Sequence, residues 1–562
     1  MEIAQKYKFD QVIARVIRNK DIVTEDEFYE YIYGDITMLN SPHLMKDIDK
    51  AAEIIKNAIA DGLKIRIIGD YDIDGINSIY ILYSGLVRLG ADVDYTVPHR
   101  VYDGYGINER LIDEAKKEGV KVLITCDNGI AAYNQILHAK NLGMTVVVTD
   151  HHDIPFNETD GRREYVVPPA DAVVDPKQVD CVYPYKKICG ATVAFKFIQV
   201  MFELFNRPNT EILDFLEFAA IATVGDVVEL QHENRIIVKA GLKKIANTEN
   251  AGINALIDVN KLDRSKIKAY HIGFVIGPCL NASGRLDTAM KAVKLLLTSD
   301  RKEAEELAGI LKALNDERKD LTLKGVENAI SQIDNTSLKD DNVLVVYLPE
   351  CHESIVGIIA GRIRERYNKP VIVFADGEGC LKGSGRSIES YNMFEKLSQV
   401  KHLLIKFGGH PMAAGMSIER EKLDEFRKEL NKNANLTEED LTLNIMIDVP
   451  MPVDYANLFG VVNKLDILEP FGQGNSKPVF ADKGLNIFDM AHMGKEGQYT
   501  RMRLGRSESG TKIDAVMFSK SDIVEQAFAD RRRIKILYYP SLNEYNGRSK
   551  MQIVIDDVMF DD

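Results

Sequence analysis

The sequence predicts an α/β protein: a doubly wound parallel sheet, a long connecting helix, a second and smaller α/β unit, and a C-terminal region of short strands. Three observations lead there. Between residues 64 and 174, short runs of β-branched and apolar residues alternate with helical stretches. Three of those runs end in acidic or imidazole side chains, at Asp70-Tyr-Asp72-Ile-Asp74-Gly75, Asp127-Asn128-Gly129 and Asp150-His151-His152. Open α/β sheets place their chemistry at such strand ends. A helical pattern of some thirty residues then separates this unit from a second pair of apolar runs.

Taken in order, residues 1–60 carry helical periodicity and no catalytic constellation, and read as an extension packed on the neighbouring sheet unit. That sheet unit spans 61–235, with strands expected at 64–70, 92–97, 121–126, 145–149 and 171–174. Residues 236–338 read as helical, ending in one helix from Asp300 to about Ile333 with Ser299 as its N-cap. Ala304, Leu307, Ala308, Leu311, Leu314 and Leu321 form its apolar stripe. At about 1.5 Å per residue this is a rod near 50 Å long, better suited to separating two units than to filling one core. The second α/β unit, 339–440, contains Val343-Leu-Val-Val-Tyr347 and Pro370-Val-Ile-Val-Phe374. From 441 to 562 the pattern alternates, as in 511–518 and 533–539, with Asn546-Gly547 as a hairpin turn.

Composition narrows the class. The chain has 562 residues, 45% apolar and 28% charged, as in ordinary multidomain globular proteins. No stretch is apolar for long enough to cross a bilayer, the charged N-terminus does not read as a signal peptide, and no membrane partner is expected. Six cysteines without C-x-x-C spacing suit a reducing, cytoplasmic location and exclude a zinc ribbon. The net charge of −14 argues against wholesale coating of a nucleic acid but leaves room for a local basic groove.

Asp70, Asp72 and Asp74 repel one another unless water or a cation separates them. A calcium loop of the D-x-D-x-D-G type is excluded, because its twelfth position is Ile81 rather than a bidentate glutamate and a strand precedes it. Carboxylates with one or two imidazoles suit Mn²⁺ or Mg²⁺. Single aspartates after strands are usually caps or turn residues. Three such strand ends together point to a metal site.

These motifs, with Thr223-Val-Gly-Asp226, resemble in order those of the DHH phosphoesterase superfamily. Within it, 188–195 (ICGATVAF), 277–285 (GPCLNASGR), 382–387 (KGSGRS), 407–410 (FGGH) and 469–475 (EPFGQGN) resemble the RecJ family of single-strand-specific DNA exonucleases. The resemblance implies two Mn²⁺ or Mg²⁺ ions, with Asp127 bridging them. Asp72, and Asp70 either as ligand or as orienting group, then serve one ion, and Asp74, His151 and Asp226 the other. Asp150 is left between ligand and holder of an imidazole, and His152 is assigned to the scissile phosphate as an electrostatic or proton-donating group. Substrate contacts are assigned to Asn281, Arg285, His352, Ser384, Arg386 and His410. The last unit, 441–562, is expected to be an OB-fold, with Arg531–Arg533, Tyr538, Tyr539 and Tyr545 tracking a single strand.

The implied activity is 5′ to 3′ hydrolysis of single-stranded DNA in recombination and repair, alongside a helicase and a single-strand-binding protein. Rival readings are a phosphodiesterase for short oligoribonucleotides or cyclic dinucleotides, and a non-catalytic nucleic-acid scaffold. Two departures bear on affinity: Cys279 stands where many relatives carry Arg, and Cys351 where an aromatic is common.

Overall fold

The computed structural model describes residues 5–561 except 101, 160–161, 456–457, 495–496, 508–509 and 546–547. The first sheet contains β1 (Ile65–Gly69), β2 (Val93–Thr96), β3 (Val122–Cys126), β4 (Thr145–Thr149) and a fifth strand, Ala172–Val174. They run in the order β2-β1-β3-β4-fifth, every pairing parallel. Strand alternation sends Ile67, Ile124 and Val147 into one apolar core and Ile68, Leu123, Val146 and Val148 into another. Both faces are therefore covered, as the continuous apolar runs require.

The core behind β1, β3 and β4 extends beyond residue 235, taking in residues up to Leu311. The long helix keeps close to the prediction and runs Arg301–Asp334, 34 residues. Its cap is Asp300 and not Ser299: the Asp300 carboxylate accepts from the Lys302 and Glu303 N–H groups. The backbone turns at Asp300 (φ −80°, ψ 115°), which puts its side chain and not that of Ser299 over the free N–H groups. Ala304, Leu307, Ala308 and Leu311 of this helix lie in the first unit's core, whereas Ala329 and Ile333 lie in that of the second unit. One helix thus belongs to two cores.

The second sheet is mixed. Leu344–Tyr347 and Val371–Asp376 are parallel, and β5 (Leu381–Arg386), β6 (Leu404–His410) and β7 (Ala413–Ile418) are added antiparallel. The C-terminal strands close on themselves: Phe480–Met493 pairs with both Tyr499–Gly505 and Ile534–Tyr545. Lys512–Met517 and Arg548–Phe560 complete the circuit, giving a five-stranded barrel of OB type. The predicted turn at Asn546-Gly547 lies outside the described residues. The N-terminal helices Gln11–Arg18 and Glu25–Tyr33 do not pack only on the first sheet unit. Val12, Ile13, Val16, Ile17, Phe28 and Ile32 share the core of the barrel unit, because their apolar stripe matches the face the barrel leaves uncovered.

Candidate metal centre

The helix α1 (Ile73–Arg88) starts where β1 ends, and Asp72 is its N-cap, accepting from the Asp74 and Gly75 N–H groups at 2.9 and 3.1 Å. The approach is so close that a Cβ on Gly75 would lie 2.3 Å from the Asp70 carbonyl oxygen, so only glycine fits. The helix α2 (Gly190–Leu204) points its first N–H groups at the fully buried Asp74 carboxylate, from Gly190 at 2.6 Å and Ala191 at 2.7 Å. Asp127 comes directly after β3 in the left-handed region, φ 59°, and Asp226 caps the C-terminus of α3 (Leu216–Gly225).

These side chains converge. His151 Nε2 lies 3.1 Å from Asp127 Oδ1, 3.4 Å from Asp74 Oδ2 and 3.7 Å from Asp226 Oδ2. Ligand atoms within 4.8 Å of one another form the groups Asp74–His151–Asp226, Asp70–Asp72–Asp127 and Asp127–His151–His152. Burial, and then Asp72, pushes Asp74 up to about 6. Burial, and then Asp74, pushes Asp226 up to about 8. Asp70 and Asp127 are driven well above the carboxylate range, first by burial and then by neighbouring carboxylates. Burial, and then the His152 charge, lowers His151 to about 3, leaving a neutral imidazole. Two carboxylates 4 Å apart repel by about 4 kcal/mol at an effective dielectric of 20.

The donors suit divalent cations on one further observation. Both Asp70 carboxylate oxygens are buried, and the nearest donors, the Tyr71 and Gly106 N–H groups, do not reach hydrogen-bonding geometry. A hard cation would satisfy them and remove the repulsion in one step.

The second histidine is held differently. His152 Nδ1 is 2.7 Å from Asp150 Oδ1, and its Nε2 is 3.1 Å from the Tyr105 hydroxyl. That hydroxyl donates to the Asp127 carbonyl at 2.8 Å, so both ring nitrogens of His152 act as donors. Burial disfavours the His152 cation, but Asp150 outweighs it and raises His152 to about 9. Burial also raises Asp150, yet His152, His151 and the Ile130 N–H hold it below the usual range. Asp150 therefore orients His152. Sequence reasoning misses Tyr105; the aromatic, glycine-rich stretch 102–106 is its only signal.

The expected substrate residues separate into groups. Arg285, Ser384 and Arg386 line one cleft of about 360 Å³ between the two α/β units, together with Arg100, Lys382 and a single acid, Glu353. Burial, then Arg100, lowers Arg285 to about 10 and lowers Arg386 as well. Asn281 is not in that cleft: its Oδ1 accepts from the Ile73 N–H at 2.8 Å and so braces the start of α1. His352 lines a neighbouring cavity with Cys351 and hydrogen-bonds Ser354 Oγ at 2.7 Å. The exposed His410 ends β6 and does not line that cleft. Cys279 is buried against Asn260 and Asn315 and does not face the cleft. Tyr538 is fully buried, its hydroxyl donating to the Met451 carbonyl at 2.7 Å, so it cannot stack on a strand. Strand alternation puts it inward with Ile534 and Ile536. Arg531 and Arg533 are exposed, and Arg532 lies 3.6 Å over the Phe560 ring.

Residues 64–223 match the N-terminal domain of the DHH family, 340–435 the DHHA1 domain and 447–557 the RecJ OB domain. The single-stranded-DNA-specific exonuclease RecJ of Salmonella typhimurium is 34% identical over 536 residues, spanning 92% of this chain and 90% of that protein. The chain belongs to the RecJ family. The Bacillus subtilis RecJ is likewise 34% identical, over 99% of this chain and 69% of its own length. A RecJ from Thermus thermophilus crystallised with Mn²⁺ superimposes with a TM-score of 0.82 at 27% identity, covering 98% of this chain and 76% of that one. The RecJ-family fold thus accounts for all three α/β and barrel units. Among the described residues no helix is long and apolar enough to cross a membrane.

Proposed function

We propose that the protein hydrolyses single-stranded DNA from its 5′ end with two Mn²⁺ or Mg²⁺ ions, in recombination and repair. The convergence of Asp74, Asp127, His151 and Asp226 around one centre carries this reading. Asp70, Asp72 and Asp127 would hold one ion and Asp74, His151 and Asp226 the other, with Asp127 between them. When bound, such ions supply Lewis-acid activation of water and neutralise charge on the scissile phosphate. The curated relatives carry the name single-stranded-DNA-specific exonuclease, which supports the substrate.

The chain's own groups do the rest. His152, held as a cation between Asp150 and Tyr105, faces the same centre with its Nδ1 4.0 Å from Asp127 Oδ1. It can stabilise a phosphorane-like charge and deliver a proton toward the leaving oxygen. The cleft arginines repel one another and are partly desolvated, so an incoming phosphate relieves both costs. A 5′-terminal phosphate carries more charge than an internal diester, and the arginine-lined cleft favours it. That preference gives the 5′ to 3′ direction.

End-labelled digestion tests the proposal. With Mn²⁺, a 5′ label on single-stranded DNA should appear first in mononucleotides, while a blunt duplex and an EDTA control stay intact. Earlier release of a 3′ label would reverse the polarity. Faster turnover of a dinucleotide than of a long strand would favour the oligonucleotide phosphodiesterase instead.

A further inference from the structure

The motif at 469–475 resembles the family yet touches neither the acid cluster nor the arginine cleft. It forms the joint between the barrel unit and the segment just past Asp226. The Leu230 N–H donates to the Gln473 carbonyl at 2.7 Å, and Gln231 Nε2 to the Gly474 carbonyl at 2.9 Å. Gly474 has φ +67°, and a Cβ there would come within 3.0 Å of Glu229 Cβ. The loop has its own frame: Asn475 is fully buried and donates to the Leu468 and Pro470 carbonyls.

Arg235, 1% exposed, locks the joint. It donates to the carbonyls of Tyr31 (2.9 Å), Ile467 (2.8 Å) and Leu468 (3.1 Å), and lies 3.9 Å over the Tyr31 ring. Three carbonyls and a π face, on two other parts of the chain, take the place of a carboxylate. A buried guanidinium is costly unless all of them stay in position.

From the joint, contacts run to the metal ligands. The buried Asn234 donates to the Glu229 carbonyl at 2.9 Å and to the Lys187 carbonyl at 2.7 Å. Lys187 Nζ also meets Glu229 Oε1 at 2.6 Å. The residues that follow include Gly190 and Ala191, whose N–H groups hold Asp74. Two residues of the Asp74–His151–Asp226 group, Asp74 and Asp226, are therefore held or flanked by segments pinned at 229–235.

We propose that the 467–475 loop, through Arg235 and Asn234, positions this group, so that the barrel unit sets cation affinity from a distance. The inference rests on the reading that the group holds a cation. The test is Mn²⁺ binding to the full-length, DNA-free protein, measured by titration calorimetry and by the electron paramagnetic resonance of free Mn²⁺. Asn234→Ala and Arg235→Met should each weaken Mn²⁺ by about tenfold, in the range seen when the supports of metal ligands are removed. Arg235→Lys should recover part of that loss. Binding of single-stranded DNA in Mn²⁺-free buffer should stay unchanged. If Arg235→Met does not fold, Gln231→Ala, which deletes one peripheral bond, should still weaken Mn²⁺ measurably. Folded variants that bind Mn²⁺ like wild type overturn the positioning role. Equal Mn²⁺ binding by wild type and Asp127→Ala overturns instead the metal reading on which it rests.

Discussion

At the scale of single residues, burial and charge fix which groups ionise. Asp127 has its carboxylate among Asp70, Asp72, Asp74 and Asp226 and belongs to the Asp70–Asp72–Asp127 and Asp127–His151–His152 groups, so its removal takes a donor from two of the three groups. Asp127→Ala should abolish turnover yet leave single-strand binding in metal-free buffer nearly intact, as read by filter binding beside single-turnover kinetics. Lost binding with normal cleavage would reverse the assignment. Glu217 gives a separate test, away from the centre. It is 3% exposed; its Oε1 accepts from the Thr248 hydroxyl at 2.9 Å and its Oε2 has no partner among the described residues. Burial raises it from the ordinary 4.5 to about 7. Through that interval the folded chain keeps a proton that the unfolded chain has lost, so stability falls as pH rises. Glu217→Gln needs no such proton and should raise Tm at pH 8, by the equivalent of up to about 3 kcal/mol, with little gain near pH 5. Equal gains at both pH values would show that Glu217 does not titrate.

At the scale of elements, the 34-residue helix is the part whose two ends do different work. Leu311 is fully buried in the first unit's core and Ile333 in the second's. Alanine at either position should cost about 2–5 kcal/mol, since each leaves a cavity in a packed core. Hydrogen exchange should place the loosening in the sheet of β1–β4 for Leu311→Ala and in the sheet of β5–β7 for Ile333→Ala. Identical patterns would mean that the two units unfold as one. The strands of the first sheet were legible because continuous apolar runs permit only a two-sided burial, and their observed bounds differ from the expected ones by a residue or so. The cap of the long helix is Asp300, one position beyond the serine that the sequence suggests. Ser299 and Asp300 both qualify as caps in sequence, and only the backbone turn decides which oxygen meets the free N–H groups.

At the scale of the whole molecule, the arginine-lined cleft depends on how the two α/β units face each other. Arg386 comes from the second unit and Arg100 and Arg285 from the first, yet all three border one cleft. Arg386→Ala should raise the DNA concentration needed for half-maximal rate, with kcat little changed. The slope of log Kd against log salt should become shallower by about 0.7, the loss of one phosphate contact to a single strand. An unchanged slope would remove Arg386 from the phosphate path. Sequence alone announces acidic and imidazole side chains at the ends of β1, β3 and β4, and a helical spacer between two sheets. These are local facts, since period and residue type dictate which side chains are buried and which sit at a strand's end. Only the tertiary structure decided that Asn281 braces a helix, that Tyr538 fills the barrel, that Tyr105 steadies His152, and that Arg235 ties three parts of the chain together. Each of those roles is made by partners at least tens of residues away, whose approach is set by packing and leaves no periodic mark in the sequence.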